Sequence, residues 1–545
     1  MTFRATPFAA AGFAVSTAFA PAARAEIVEF GPSDDVEARI NAAKPGDEIV
    51  LRGGTYTLND RFSIDVQGTE AAPIVFRAKA GEVPIIHQAN AGQNVIDVVN
   101  AEYLIFRGLE ITGGSHGLRL IAARFVTVEG CNIHDTGDVA LSANSGGRYE
   151  GLKILNNEIH HTNGTGEGMY LGCNENGCQM FDSLIEGNYI HHTNQASVEQ
   201  GDGIEIKEGS YNNVVRHNVI HDTNYPCIIT YSTVGNGGPN TIESNVMWNC
   251  GDHGIQSAAD AIIRNNIILG SNSDGIHMQQ HQNGSPSNLV IVHNTILHPS
   301  NDAISISGAT GSILIANNAL YAQNGSAISA NGNLGQLMVL GNVGIGALNG
   351  ASGGFTSGSL AGDFVAASFS GAPPNDVFPK AGSKLIGAGD AAHVVEVDFN
   401  GTARNGVADV GAYKFDTAGN PGWTIGPGFK DQPPAGGTGG VGGSAGVGGA
   451  GGSGGSGTGG AGAAGGAGGS GSPGGAAGAA GMAGGAGTAQ GSPGASGDDD
   501  GGCGCRVSGE SRSASLFSAV LALALVTCRR SRSRRADQSR QERRD

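Results

Sequence analysis

The chain has 545 residues, with 31 basic and 48 acidic side chains and a formal net charge of −17. That balance excludes a nucleic-acid partner, whose phosphates need a basic face. It also repels an acidic polysaccharide, unless a cation or a local basic groove mediates.

In chain order, residues 1–25 read as an export signal. Arg4 supplies the charge, Phe8 to Ala20 the apolar stretch, and Ala23-Arg24-Ala25 a small-residue cleavage site. Ser33 to Ala43 is predicted to be a short amphipathic helix. Asp34 caps it, and Val36, Ile40 and Ala43 share a face. A stacked-repeat fold needs a lid on its open end, and this helix is placed to be one. Strands are predicted at Glu48–Leu51 and Ile74–Arg77.

From Glu102 to Gly344 one phrase recurs: an apolar run, an Asn-x-Ile step, a polar turn and a Gly-Ile step. The first step appears as Cys131-Asn132-Ile133-His134, Asn157-Glu158-Ile159-His160, Asn188-Tyr189-Ile190-His191 and Asn218-Val219-Ile220-His221. Weaker copies begin at Asn245, Asn266, Asn294 and Asn318. The spacing of about 21 to 31 residues is that of a solenoid repeat. In phase with it run Gly168-Met169-Tyr170-Leu171, Gly203-Ile204-Glu205-Ile206, Gly254-Ile255-Gln256 and Gly275-Ile276-His277-Met278. Each rung alternates apolar and polar residues, so each is a short strand with one buried face. No helical pattern separates the rungs, so they stack as coils of an all-β parallel solenoid. The repeated Asn and Gly residues suit bends that need positive φ.

Pro45-Gly46-Asp47-Glu48-Ile49-Val50-Leu51, Gly53-Gly54-Thr55-Tyr56, Ala72-Pro73-Ile74-Val75-Phe76-Arg77 and Tyr103-Leu104-Ile105-Phe106-Arg107-Gly108-Leu109 resemble the opening coils of right-handed parallel β-helix proteins, many of them polysaccharide lyases of the pectate lyase kind. The resemblance spans residues 26–415 and implies that fold. Ser383–Asp390, Asp398–Arg404 and Asp409–Tyr413 resemble the closing segment of such proteins and are expected to cover the second open end.

Residues 416–502, rich in Gly, Ala and Ser after Ala435, are expected to form a flexible tether. Residues 503–545 carry Cys503-Gly504-Cys505, an apolar segment over 514–528 and a basic end. With Asp498-Asp499-Asp500 before them they resemble the MYXO-CTERM sorting tail. That implies an exported protein held at the cell surface or outer membrane through this tail or its processing machinery, or released outside the cell. The expected state is a monomer. Export permits disulfides. Cys173 and Cys178 are spaced to close a small loop, Cys227 and Cys250 to staple successive coils, and Cys131 to be buried without a partner. No cysteine spacing matches a structural zinc site.

With Ile204 and Ile206 inward, Glu205 and Lys207 point outward. Tyr170 then flanks Glu205 on one side, with Arg119 earlier in the same column. Gln256 and His277 lie two and three coils along on the other side. A linear sugar chain fits such a groove. β-Elimination of a uronate polymer needs a group that neutralises the carboxylate, a base for the C5 proton and an acid for the leaving oxygen. Asp202-Gly203-Ile204-Glu205-Ile206-Lys207 resembles a segment of the calcium-dependent pectate lyases. The resemblance implies Lys207 as base and a calcium ion held by Asp202, Glu205 and Glu167. Tyr170 and His277 are the candidate proton donors, and Arg119, Gln256 and Arg216 the candidate substrate-binding residues. The downstream acidic cluster of that family is absent; Asn224-Tyr225-Pro226-Cys227 stands there instead. Asp202, Glu205 and Glu208 would also hold the lysine charged, and a surface ion pair is the competing reading of Lys207.

Two other functions stay open. The same segment resembles that of polygalacturonases, with Asp202 and Glu205 as the carboxyl pair of a glycoside hydrolase, although Gly203 replaces the second Asp of that family's pair. A non-catalytic, glycan-binding surface rod is the third class. The row His134, His160, His191 and His221 reads as turn residues bonded to their neighbours, since a metal needs converging ligands.

Overall fold

The computed structural model describes residues 25–282 and 284–430. The segment expected to be an export signal up to Arg24, the expected tether (416–502) from residue 431 on and the expected sorting tail with Cys503, Cys505 and Cys528 lie outside the described residues.

Each coil contributes three strands to a parallel β-solenoid. One wall is a 13-stranded ladder running from Ile27–Phe30 to Gln336–Leu340, built from the apolar run that opens each repeat. The Asn-x-Ile steps form the second wall and the Gly-Ile steps the third. These two ladders join through the long strand Ala319–Asn331, which pairs with both Thr295–His298 and Ile304–Ser307. The single antiparallel ladder among the described strands joins Phe364–Ala366 to Asp376–Pro379. Inward residues of all three walls, such as Ile154, Ile190, Ile204, Ile206 and Ile228, are fully buried in one continuous core. Each such Ile contributes about 1.5–3 kcal/mol, and the alternation that buries it sends its neighbours outward.

The capping helix is present, but shorter than expected, at Val36–Asn41. Asp35 caps it by accepting from the Ala38 N–H, while Asp34 accepts from the Gly31 N–H instead. Val36 and Ile40 enter the core and seal the first coil.

The repeated asparagines do a different job from the one expected. Positive φ falls on the residue before each: Asn156, His217, Ser244, Asn265, His293 and Asn317. The ladder residues Asn157, Asn188, Asn218, Asn245, Asn266, Asn294, Asn318 and Asn342 are themselves buried. Asn218 is typical: its Nδ2 donates to Asn245 Oδ1 at 2.9 Å and to the Ile185 carbonyl at 3.0 Å. Its own Oδ1 accepts from the Asn188 backbone N–H and Nδ2, both at 2.9 Å. A bend cannot pair all its backbone groups within the sheets, and this ladder satisfies them. Cys131 occupies the same place one coil before Asn157 and donates its N–H to Asn157 Oδ1 at 2.9 Å; it is buried and has no disulfide partner among the described residues. The disulfides Cys173–Cys178 and Cys227–Cys250 form as the spacing suggested.

The closing segment does not cover the open end. It lies along the outer face of the Asn-x-Ile wall. Phe364, Phe378, Phe399, Val410 and Tyr413 form a second core with the outward residues Val219, Val246, Ile267 and Ala319. The wall is apolar outside as well as inside over these coils, so burial there outweighs capping. Arg404, fully buried, ties the strap down by donating to the Gly411 and Ala412 carbonyls at 2.9 and 3.0 Å. The packed chain continues past Phe415: Ile425 and Lys430 are buried.

Candidate active site

The expected column exists on the Gly-Ile wall. Ladder pairing sets Arg119 beside Ser142, Ser142 beside Tyr170, and Tyr170 beside Glu205. It continues through Ile229 and Gln256 to His277. A second outward position follows each strand. Lys207 and Tyr231 occupy it on successive coils, because the Tyr231 N–H bonds to the Ile206 carbonyl just as the Lys207 N–H bonds to Leu171. Gly172 precedes them. Its φ of +95° suits glycine, and a Cβ there would come within 3.2 Å of the Lys207 Cβ.

Lys207 is not on a solvated face. Its Nζ donates to Glu205 Oε1 at 2.9 Å, and the two side chains are 4% and 2% exposed. The ammonium lies 3.9 Å from the Tyr231 ring centre and 5.3 Å from that of Tyr170. The Tyr170 hydroxyl donates to Asn174 Oδ1 at 3.1 Å, inside the loop closed by Cys173–Cys178.

Glu167, Asp202 and Glu205 converge beside the lysine. Each is buried, and each has an oxygen within 4.8 Å of one on the other two. Glu167 Oε2 accepts from Thr165 Oγ1 at 2.7 Å. Among the described residues, Glu167 Oε1, Asp202 Oδ1 and Glu205 Oε2 have no hydrogen-bond partner, nor has either oxygen of the buried Glu208. Burial and the charge of Glu205 push the Glu167 carboxyl up to about 7. Burial, with the neighbouring carboxylates, pushes Asp202 well above the usual carboxylate range, and burial likewise raises Glu205 despite Lys207. Burial and the charge of Glu205 also push the Tyr170 and Tyr231 phenols upward, so both hold their protons. Four buried carboxyl groups beside one ammonium demand either protons or a cation. The oxygen-only set of Glu167, Asp202 and Glu205, each with a free oxygen, fits a hard divalent cation.

One expected residue stands elsewhere, and another is in its expected column but far from Lys207. Arg216 ends the strand Val214–Arg216 of the 13-stranded wall, where it pairs with Glu186 at 3.0 Å beside Glu243. Val215 takes the inward position there, which points Arg216 out from a different wall. His277 is in the column but not beside Lys207; it bonds to Asp274 at 2.8 Å and stacks on His253. Sequence reasoning missed Tyr231, and His281, whose Nε2 is 3.4 Å from the Tyr231 hydroxyl. Extending the strand register one residue beyond Thr230 finds Tyr231; His281 sits in a loop and carries no such signal.

The row His134, His160, His191 and His221 is a stack of parallel rings with centres 4.8, 4.9 and 5.4 Å apart, closed by Trp248. His160 and His191 bond to their neighbours His161 and His192, as expected, but the four rings stand on strands of the Asn-x-Ile wall and not in turns.

The family model described as "Pel9A-like, right handed beta helix region" matches residues 22–192, and that of the "right handed beta helix region" matches residues 168–320. The fold is a right-handed β-helix of the pectate lyase kind. Among relatives of this β-helix, pectate lyase PEL9 of Emericella nidulans is 33% identical over 101 residues, 16% of this chain and 25% of the relative. Pectate lyase L of Dickeya dadantii is 23% identical over 290 residues, 43% of this chain. The β-helix thus spans 25% and 65% of the lengths of these two relatives. Among solved structures, pectate lyase Pel9A aligns at 16% identity with a TM-score of 0.40, over 72% of this chain and 96% of that one. An alginate lyase from Paenibacillus sp. str. FPU-7 aligns at 22% identity with a TM-score of 0.39, over 57% of this chain and 98% of that one.

Proposed function

We propose that the protein is a polysaccharide lyase that cleaves a uronate-containing glycan by β-elimination at Lys207. The observation that carries this reading is the buried meeting of one amine, two phenols and three convergent carboxylates in the outward column of a lyase-type β-helix. The curated relatives are named pectate lyases, which agrees with it.

In the reaction Lys207 passes its proton to Glu205 across their hydrogen bond and, as the free amine, takes the C5 proton; the C4–O bond breaks and a C4=C5 double bond forms. Tyr170 gives its proton to the departing oxygen; its raised pKa keeps that proton in place until the leaving group develops charge. The faces of Tyr231 and Tyr170 exclude water from the amine. Asn174 fixes the direction of the Tyr170 hydroxyl. Arg119 and Gln256, to either side in the column, hold the neighbouring sugars. A calcium ion bound by Glu167, Asp202 and Glu205 would supply the positive charge that neutralises the substrate carboxylate and acidifies C5.

The hydrolase reading is less well supported. Asp202 and Glu205 approach within 4.8 Å, closer than the roughly 6.5–9.5 Å that leaves room for an inverting water.

The test is release of unsaturated uronates from polygalacturonate and from alginate, with calcium and with chelator. Reducing ends without unsaturation would mean a hydrolase, and glycan binding without either product would mean a surface rod. The proposed setting, by virtue of its export signal and sorting tail, is the cell surface or its surroundings.

A further inference from the structure

Beyond Glu205 the column runs through Ile229 and Gln256 to His277. Three strand steps of about 4.8 Å put His277 about 14 Å along the groove. Its Nδ1 bonds to Asp274 Oδ2 at 2.8 Å, and the side chain is 13% exposed. His253 stacks on it at 4.1 Å with rings 9° from parallel. His253 Nδ1 accepts from the Asp274 backbone N–H at 3.1 Å, so of the two rings only His277 donates to the carboxylate.

We propose that His277, oriented by Asp274, forms a distal subsite that binds a carboxylate of the acidic glycan three strands from Lys207. This rests on the reading of the Lys207 centre as a lyase site. The groups facing His277 are Asp274, Asp252, His253 and Gln279, and the adjoining strands add the neutral Gln256 and Ser305. Burial opposes a charge on His277, but the bond to Asp274, Gln279 and the charges of Asp274 and Asp252 outweigh it, and its pKa lies above the usual histidine value. Burial and His277 push His253 down to about 4. Of the two rings, His277, the one in the sugar-facing column, is thus the one whose charged form its neighbours favour. Arg119 lies two strands from Tyr170 on the other side. A chain of net charge −17 thus sets Arg119 and His277 at opposite ends of its groove, where a polyanion must be drawn in. The ligand atoms of this cluster also lie within 4.8 Å of one another, but His253 Nδ1 is already engaged by the Asp274 N–H and His277 Nδ1 by the Asp274 carboxylate, so a metal suits it poorly.

The experiment uses the full protein with hexamers and dimers of galacturonate and of alginate, followed by product formation and by calorimetry. For the favoured hexamer, KM and Kd rise about tenfold as pH is raised and His277 loses its proton, the size of one charge-assisted contact. In His277→Gln both are high at every pH, with most of kcat retained, and Asp274→Asn moves them the same way. Dimers, too short to reach His277 from Lys207, bind equally to all three proteins. A His277→Gln protein with wild-type hexamer affinity and pH dependence overturns the subsite. If the wild type yields no unsaturated product, the lyase reading falls. Calorimetry then still decides the subsite: pH-dependent hexamer binding lost in His277→Gln upholds it, and binding indifferent to His277 overturns it.

Discussion

Lys207 Nζ and Glu205 Oε1 lie 2.9 Å apart, with both side chains almost wholly out of water. Removing one partner strands the other's charge, which costs about 3–5 kcal/mol in a buried pair. Glu205→Gln and Lys207→Met are each expected to lower denaturant stability by that order. The double variant should recover part of the loss, as a double-mutant cycle would read. Both single variants should lose at least about a hundredfold in kcat.

The acidic triad sets a pH dependence that calcium should erase. Glu167 has a folded pKa of about 7, above its unfolded value near 4.5. The folded state therefore holds the extra proton, and the stability this gives is full below about pH 4.5 and lost as pH rises through 7. Chelator-treated protein should lose melting temperature over that window. Glu167→Gln should flatten the loss, and calcium should restore the melting temperature at pH 8.

The histidine stack acts with the opposite sign. Burial and neighbouring imidazoles push His160 down to about 4, and burial pushes His221 down to about 4 despite Asp222. The unfolded chain takes protons near pH 6.5 and the folded chain does not, so stability falls as pH drops from about 6.5 to 4. Melting in calcium, where the triad is silent, should show this slope. Replacing His160 by Gln should reduce it.

Tyr170→Phe keeps the ring beside Lys207 and removes the proton. It should fold normally and lose about 10²- to 10⁴-fold in kcat with little change in KM. Asn174→Ala, or reduction of Cys173–Cys178, should lower kcat less, about fivefold. The hydroxyl would keep its proton but lose its fixed direction.

Asn218→Ala removes four hydrogen bonds within the bend and leaves the Asn188 N–H buried without its acceptor. A loss of about 3 kcal/mol in chemical denaturation is expected.

Much of this was legible in the sequence because a strand's period of two and a fixed repeat fix both facing and register. Ile204 and Ile206 inward placed Glu205 and Lys207 outward, and the repeat length set Tyr170, Gln256 and His277 in one column. Three things were not legible. Arg216 follows the Lys207 strand by only a few residues, yet the turn at Gly209 sends it to another wall. The strap's path depends on outward apolar residues such as Val219 and Ile267, which read as ordinary strand residues until both faces are seen. The depth of the Lys207 pair comes from side chains of neighbouring coils: Tyr231 falls one residue past its strand, and His281 sits in a loop that no periodicity marks.

The most direct measurement is the ultraviolet absorbance of C4=C5 unsaturated products formed from polygalacturonate and alginate by the wild type and by Lys207→Ala. The account predicts a rise with the wild type in calcium on one of these polymers, suppressed by chelator and absent with Lys207→Ala. No rise on either polymer, or an equal rise with Lys207→Ala, would contradict it.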